Sequence, residues 1–256
     1  MMPELLPDKC PLEGQKRLKL LCCEALRREA YLCAARSRNI VDIQFLRRSL
    51  HDTPEKLNET LAEALAGTKD SEGNQYDAIL LGYGLCSNSV LGIRSELPLV
   101  ITRAHDCAAI LLGSRHRYQE LFDSEKGIFW YSPGWIETCL MPGQEKHEKM
   151  RQEYVEKFGE DNAEYLMEME QSWIKEYSKA FFVKWPEFDT KEYEIYTQKC
   201  AEYLEWEYRK IEGSSKLFQK MLDAHWDEDE FLIVPPGEVI QESVCDDKIM
   251  GSTDEN

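Results

Sequence analysis

Short apolar runs alternate with helical patterns through the first 140 residues, and this alternation constrains the fold more than any other feature. Such runs are typical of buried strands, and the helical patterns between them leave room for crossover connections. The predicted strands cover residues 18–22, 40–45, 77–81, 97–101 and 127–131. Because strands joined by crossovers pair in parallel, the sequence predicts an α/β fold with a mostly parallel open sheet and Rossmann-like crossovers.

Helical patterns fill the intervals between these strands. One helix is predicted from Pro54, where Leu57, Leu61 and Leu65 recur at every fourth residue and form a stripe suited to burial. Further helices are predicted over residues 24–38, 107–122, 192–211 and 215–224.

Composition divides the chain into two halves and a tail. Residues 1–140, the α/β half, carry 17 Lys and Arg against 19 Asp and Glu, a balance of −2. The remaining residues carry 14 against 29, a balance of −15. We expect 141–240 to be an acidic helical half that returns a final strand, 231–234, to the core. Residues 241–256 are expected to be a polar tail.

The net charge of −17 argues against nucleic-acid binding, which needs a basic surface, and also against anionic membrane surfaces. No apolar run approaches the roughly 20 residues of a membrane span. The first residues lack the basic start and apolar stretch of a signal peptide, so we expect a cytoplasmic protein. The acidic half forms either a solvated helical face or a docking surface for a basic partner.

Nine cysteines, an odd number in a long chain without an export signal, favour metal or redox use over a disulfide framework. Free cysteine is also common as a small buried hydrophobe, and we assign Cys33, Cys200 and Cys245 to that class.

Soft ligands follow two neighbouring strands of the predicted sheet. Cys86 comes shortly after the third strand, and His105 and Cys107 come directly after the fourth. Parallel strands end at one edge of a sheet, where ligand crevices form, so these side chains are expected to converge. Two thiols and one imidazole suit Zn²⁺, although another transition metal is open. Asp106 is predicted either to orient His105 or to cap the following helix, and Arg103 to orient an anionic substrate.

A fourth ligand is expected from the same edge of the sheet. Cys23 ends the first strand, Cys139 follows the fifth, and His51 follows the second. We rank Cys23 above Cys139, so the predicted metal set is Cys23, Cys86, His105 and Cys107.

Several catalytic motifs are missing from the sequence. The segment around Gly82 and Gly84 lacks both the GxGxxG pattern and a GKS or GKT ending, which disfavours nucleotide binding. No GxSxG segment indicates a serine hydrolase, and no CxxC pair indicates a thioredoxin-like redox motif.

The chain resembles a family of uncharacterised bacterial and archaeal proteins, a domain of unknown function, over roughly residues 17–240. Members of that family are often neighbours of corrinoid-dependent methyltransferase systems, so the resemblance implies one-carbon metabolism. Where the family has a glycine, this chain has Ser87. The resemblance is carried by residues 50–57 (LHDTPEKL), 83–88 (YGLCSN), 103–107 (RAHDC), 111–115 (LLGSR), 132–137 (SPGWIE) and 234–237 (VPPG).

A second likeness is local. The order His-x-Cys…Cys is similar to the zinc site of thiol-alkylating methyltransferases such as cobalamin-independent methionine synthase. Those enzymes are barrels, whereas this chain is predicted to be an open sheet, so the likeness concerns the ligands alone.

Three functions remain open at this point. The first is a metal-dependent, methyltransferase-like enzyme that acts on a small molecule and activates a thiol or water. The second is a non-catalytic accessory or metal-carrying partner of a corrinoid protein. The third is a thiol-based redox protein that uses Cys86 and Cys107.

Overall fold

A computed structural model describes residues 13–67, 69–86, 88–170, 172–242 and 250–253. The strands are β1 (Arg17–Cys23), β2 (Ile40–Leu46), β3 (Ala78–Gly82), β4 (Leu99–Thr102), β5 (Ile128–Tyr131), β6 (Lys179–Lys184), β7 (Glu207–Glu212), β8 (Phe231–Val234), β9 (Val239–Glu242) and β10 (Met250–Thr253). The helices are α1 (Arg27–Arg36), α2 (Pro54–Leu65), α3 (Cys107–Leu112), α4 (Arg115–Ser124), α5 (Pro133–Thr138), α6 (Gln144–Phe158), α7 (Glu160–Glu170), α8 (Lys191–Leu204) and α9 (Lys216–Leu222).

The chain divides into two compact units. The first joins Met1–Arg115 to Ser214–Asn256, and the second is His116–Gly213. This division by contacts does not follow the change in composition near residue 140, because Tyr131 packs with residues of the acidic half.

A five-stranded sheet in the order β2-β1-β3-β4-β8 forms the centre of the first unit. Its first four strands are parallel, and β8 pairs with β4 in the antiparallel direction. The predicted α/β class with a mostly parallel sheet is therefore confirmed. The same unit contains a short antiparallel pair, β9 with β10.

The centre of this sheet is apolar because β3 and β4 are buried on both faces. Every residue of both strands is buried, as expected for a parallel sheet covered on two sides. Helix α2 contributes the predicted stripe, since Leu57, Leu61 and Leu65 are all buried. Pro54 occupies the start of α2, as the sequence predicted.

The second unit is built on a separate parallel sheet, β5-β6-β7. The predicted strand 127–131 is present as β5, but it belongs to this sheet and not to the first. Helix α8 packs against β6 and β7. The aromatic core of the unit includes Tyr131, Phe182 and Trp206.

Two predicted helices differ from the structure. The helix over 107–122 is interrupted at Gly113, where a backbone φ of 78° in the left-handed region ends α3 before α4 begins. The helix over 192–211 ends at Leu204, and residues 207–211 lie in β7 instead. Pairing with β6 determines the strand in this segment.

None of the described helices is long and apolar enough to cross a membrane.

We expect Leu61→Ala to lower the free energy of unfolding by about 2–5 kcal/mol, because the side chain is completely buried and its loss leaves a cavity. Urea unfolding followed by circular dichroism measures the change. The exposed Glu59 of the same helix provides a control, since Glu59→Ala should change stability by less than about 0.5 kcal/mol. Equal effects of the two substitutions would contradict the assigned core.

Candidate functional site

The strand order of the first sheet reverses between β1 and β3. From β1 the chain crosses to β2 on one side, while β3 and β4 lie on the other. Loops that leave the carboxyl ends of two such strands diverge, and this opening is where ligands bind in α/β sheets. Cys23 is the last residue of β1, and Tyr83 directly follows β3. The fold therefore places a thiol and a phenol beside the switch point.

The loops after β3 and β4 are joined by their backbones. The N–H of Leu85 donates to the carbonyl of Ala104 at 2.8 Å, and the N–H of Cys86 donates to the carbonyl of His105 at 3.0 Å. These bonds hold the segment that carries Cys86 against the segment that carries His105 and Cys107.

Gly84 allows this close approach. A Cβ at this position would lie 2.7 Å from the carbonyl oxygen of Ala104 and 2.8 Å from the backbone nitrogen of Asp106. Backbone atoms cannot move aside as the end of a flexible side chain can. A glycine is therefore required here because one loop packs on the other.

Cys86 has an unusual backbone and a buried thiol. Its φ of 46° lies in the left-handed region, which is unfavourable for a residue with a Cβ. The residue is 4% exposed, and burial raises the pKa of its thiol to about 12. At neutral pH the sulfur is therefore protonated.

Tyr83 lies among the thiols of this edge. The residue is 3% exposed, and its hydroxyl has no hydrogen-bond partner among the described residues. Burial, and then the sulfurs of Cys23, Cys22, Cys86 and Cys107, raise the pKa of Tyr83 well above its ordinary value. The four thiols are therefore within electrostatic reach of one buried hydroxyl group.

Of these thiols, Cys22 has a packing role. Its Sγ contacts the carbonyl oxygens of Cys23 and Gly82 at 3.4 and 3.8 Å, and the residue is completely buried. A Cβ on Gly82 would lie 2.6 Å from this sulfur, so the glycine leaves the space that Cys22 fills.

Three of the four predicted ligands, Cys23, Cys86 and Cys107, lie within electrostatic range of the Tyr83 hydroxyl. The fourth, His105, is exposed. Among the described residues, no group of three or more His, Cys, Asp or Glu side chains is arranged to hold a metal ion. The donor types at this edge suit a soft metal, but the side chains do not stand in ligand positions. The predicted zinc site stays a prediction.

The two residues predicted to assist catalysis have structural contacts. Asp106 is the N-cap of α3, and its carboxylate accepts a hydrogen bond from the N–H of Ala108 at 2.8 Å. Arg103 is 5% exposed, and its Nε donates to the carbonyls of Glu228 and Phe231 at 3.0 and 3.1 Å. Both contacts stabilise the loop after β4. Capping of the following helix was one of the two roles predicted for Asp106. The substrate-orienting role of Arg103 stays a prediction.

The remaining candidates lie elsewhere. Cys139 belongs to the second unit, where its Sγ contacts the carbonyl of Trp135 at 3.2 Å and the Sδ of Met141 at 3.5 Å. The side chain of His51 lies outside the described part of the chain, as does Cys245. None of the seven described cysteines forms a disulfide.

The sequence places Tyr83 at a strand end, where it could line a pocket, but the sequence analysis did not predict that its hydroxyl lies within electrostatic range of the thiols. The available signal was a tyrosine between two glycines directly after an apolar strand, since Gly82 makes room for Cys22 and Gly84 for the neighbouring loop.

Comparison with known families gives one result. The model of a family described as "Protein of unknown function (DUF1638)" matches residues 45–222. Neither a curated protein nor a solved structure matches the chain.

We expect Cys86 to resist alkylation in the folded protein. With a pKa of about 12 in place of 9.0, its thiolate fraction at pH 8 is lower by roughly a thousandfold, and burial restricts access further. Iodoacetamide labelling followed by peptide mass spectrometry should show slow modification of Cys86 and faster modification of the less buried Cys107.

The same pKa shift predicts a pH effect on stability. Because the folded-state pKa is the higher one, the protonated thiol favours folding below about pH 9, and this contribution is lost as the pH rises towards 12.

For the alkylation prediction, labelling of the chain unfolded in urea provides the reference rate. Equal labelling rates of Cys86 in the folded and unfolded chains at pH 8 would contradict the assigned environment.

Proposed function

We propose that this chain, which belongs to the DUF1638 family of proteins of unknown function, binds a soft transition-metal ion at the carboxyl edge of its five-stranded sheet. The ligands would be Cys23, Cys86 and Cys107. The observations that support this proposal are that the three thiols follow three neighbouring parallel strands at one edge of the sheet, that backbone hydrogen bonds join the segments of Cys86 and His105, and that all three sulfurs lie within electrostatic range of the buried Tyr83 hydroxyl. Thiolates are the donors that Zn²⁺ and other soft ions prefer.

A metal suits these thiols better than thiol redox chemistry does. A nucleophilic or redox-active cysteine needs a lowered pKa and access to solvent, whereas burial raises the pKa of Cys86 and leaves it 4% exposed. A cation supplies the positive charge that stabilises a buried thiolate, and its binding releases the protons. Burial therefore disfavours the redox hypothesis and is compatible with metal binding.

Binding would require the thiols to rotate into ligand positions. The segment of Cys86 is held by hydrogen bonds of its backbone, so rotation about the Cα–Cβ bonds is the simplest adjustment. The exposed His105 lies in the adjoining segment, where it can either complete the set or leave one position open.

An open coordination position on the ion would let a substrate bind to it, and the site could then be catalytic. When bound, such an ion supplies a Lewis acid that lowers the pKa of a substrate thiol or water. Members of the family that the sequence resembles are often neighbours of corrinoid methyltransferase systems, and this supports a thiol substrate and a reaction in methyl-transfer metabolism. In this proposal Asp106 fixes the start of α3 beside Cys107, and the buried Arg103 holds the same loop on β8.

Metal analysis of protein purified without added metal, followed by Zn²⁺ or Co²⁺ titration, tests the proposal. We expect about one ion per chain, with affinity that increases with pH because the thiols must lose their protons. Cys86→Ser and Cys23→Ser should each lower the affinity by on the order of a hundredfold or more. Cys139→Ser is the matched control, since this cysteine lies in the second unit, and it should bind like the wild type.

Folding of each variant is checked by far-ultraviolet circular dichroism. If the folded wild-type protein binds neither ion, or if Cys86→Ser binds Zn²⁺ as tightly as the wild type, the proposal is wrong.

We expect Tyr83→Phe to stabilise the metal-free protein and to reduce the stabilisation that Zn²⁺ provides. Removing a buried hydroxyl that has no partner among the described residues should raise the free energy of unfolding by about 1–3 kcal/mol. If the hydroxyl faces the bound ion or its substrate, Zn²⁺ should then stabilise the variant less than it stabilises the wild type.

Urea unfolding with and without Zn²⁺ measures both effects of Tyr83→Phe. Tyr131→Phe is the control: its hydroxyl is also buried but donates to the carbonyl of Pro142 at 2.9 Å, so this change should destabilise the protein. Destabilisation of the metal-free protein by Tyr83→Phe would show that the hydroxyl has a structural partner.

A further inference from the structure

Helices α6 and α7 form a hairpin whose apolar residues are poorly covered. Gly159, with a φ of 79°, joins them, and α6 packs mainly against α7. None of the fifteen residues of α6, all of which the structure describes, is buried. Most helices of globular proteins owe their stability to a buried apolar face, so a helix of this length without a buried residue is unusual.

The hairpin concentrates exposed apolar surface. Phe158, Tyr165 and Met169 are 51%, 64% and 59% exposed, although they lie close together in the chain. Between the helices lies a groove of about 490 Å³, lined by Tyr154, Phe158, Asn162, Tyr165 and Leu166. Contiguous exposed apolar surface of this kind marks interaction sites in soluble proteins, whereas single exposed apolar residues need no explanation.

The groove lies beside negative charge. Helix α7 contains five acidic residues and no basic one. Asp161 and Glu168 precede and follow Tyr165 by four and three residues, so they share its helical face. Both are exposed. The partner that complements this surface must therefore combine apolar side chains with positive charge.

A second copy of the chain does not meet this requirement. Each copy carries a net charge of −17, so pairing of two copies would bring two strongly acidic chains together. Like charges oppose association.

We propose that the α6–α7 hairpin is a docking surface for a basic amphipathic helix of a partner protein. In this arrangement large apolar side chains of the partner enter the groove between Phe158 and Tyr165, and flanking Lys or Arg residues face Asp161 and Glu168. Grooves between paired helices bind amphipathic helices in this way, with anchors at helical spacing. This inference concerns the second unit alone and does not depend on metal binding.

The test uses a fluorescein-labelled synthetic helix of leucine and lysine residues in an amphipathic pattern, with binding to the full chain followed by fluorescence anisotropy. The double variant Phe158→Ser with Tyr165→Ser should bind this peptide at least about tenfold more weakly, because two apolar anchoring surfaces are lost. The double variant Asp161→Asn with Glu168→Gln should also bind more weakly and should show a smaller salt dependence.

Two controls separate the groove from general attraction to an acidic protein. Phe122→Ser changes an aromatic residue that is 55% exposed on α4 of the same unit, and it should leave peptide affinity unchanged. A peptide in which glutamate replaces lysine should not bind. Far-ultraviolet circular dichroism confirms that the variants fold, which we expect because the substituted side chains are exposed.

Equal peptide affinities of the wild type and the Phe158/Tyr165 variant would overturn the proposal. Sedimentation analysis provides the other decisive measurement. If the wild type forms a dimer that the same variant cannot form, the groove is occupied by a second copy, and the proposal of a basic partner is wrong.

Discussion

The approach of Gly84 to the backbone of the neighbouring loop is the constraint on which the candidate site depends. It allows the segments after β3 and β4 to share hydrogen bonds, and these bonds fix Cys86 relative to His105 and Cys107. Any side chain at position 84 would meet backbone atoms, so the loops would have to separate. Backbone contact between the two loops therefore sets the positions of the cysteines, and side-chain packing has a secondary effect. The buried strands β3 and β4 provide the rigid base that this contact needs.

Much of this edge could be predicted because strand direction alone decides it. Apolar runs identified β1 to β4, and parallel pairing brings the residues that follow them to one side of the sheet. The convergence of Cys23, Cys86 and Cys107 follows from that rule. The exposure of His105 does not, because it depends on the course of the loop backbone, including the left-handed φ of Cys86. Such torsions arise from contacts between loops that are distant in sequence.

One strand of the second unit, β7, was harder to predict because it is rich in charged residues. Strand β7 contains four charged residues among six, which resembles a solvated helix when it is considered alone. Pairing with β6 and the stacking of Arg209 over the ring of Phe181, 4.9 Å from its centroid, stabilise it as a strand. The acidic character of residues 141–240 was evident in the sequence. The groove on the α6–α7 hairpin was not, because composition does not reveal which apolar residues a tertiary fold leaves uncovered.

Two features of the first unit oppose folding: the left-handed backbone of Cys86 and the Tyr83 hydroxyl without a described partner. Each costs on the order of 1–3 kcal/mol, and together they are comparable with a substantial part of a domain's net stability. Substituting phenylalanine for Tyr83 would remove one of these costs, and substituting glycine for Cys86 would remove the other, without disturbing the apolar centre of the sheet. A bound cation would compensate for them in another way, because it converts neutral thiols into ligands and offers the phenol a polar neighbour. In the proposed function, the cation offsets at a topological switch point the costs that the fold alone leaves uncompensated.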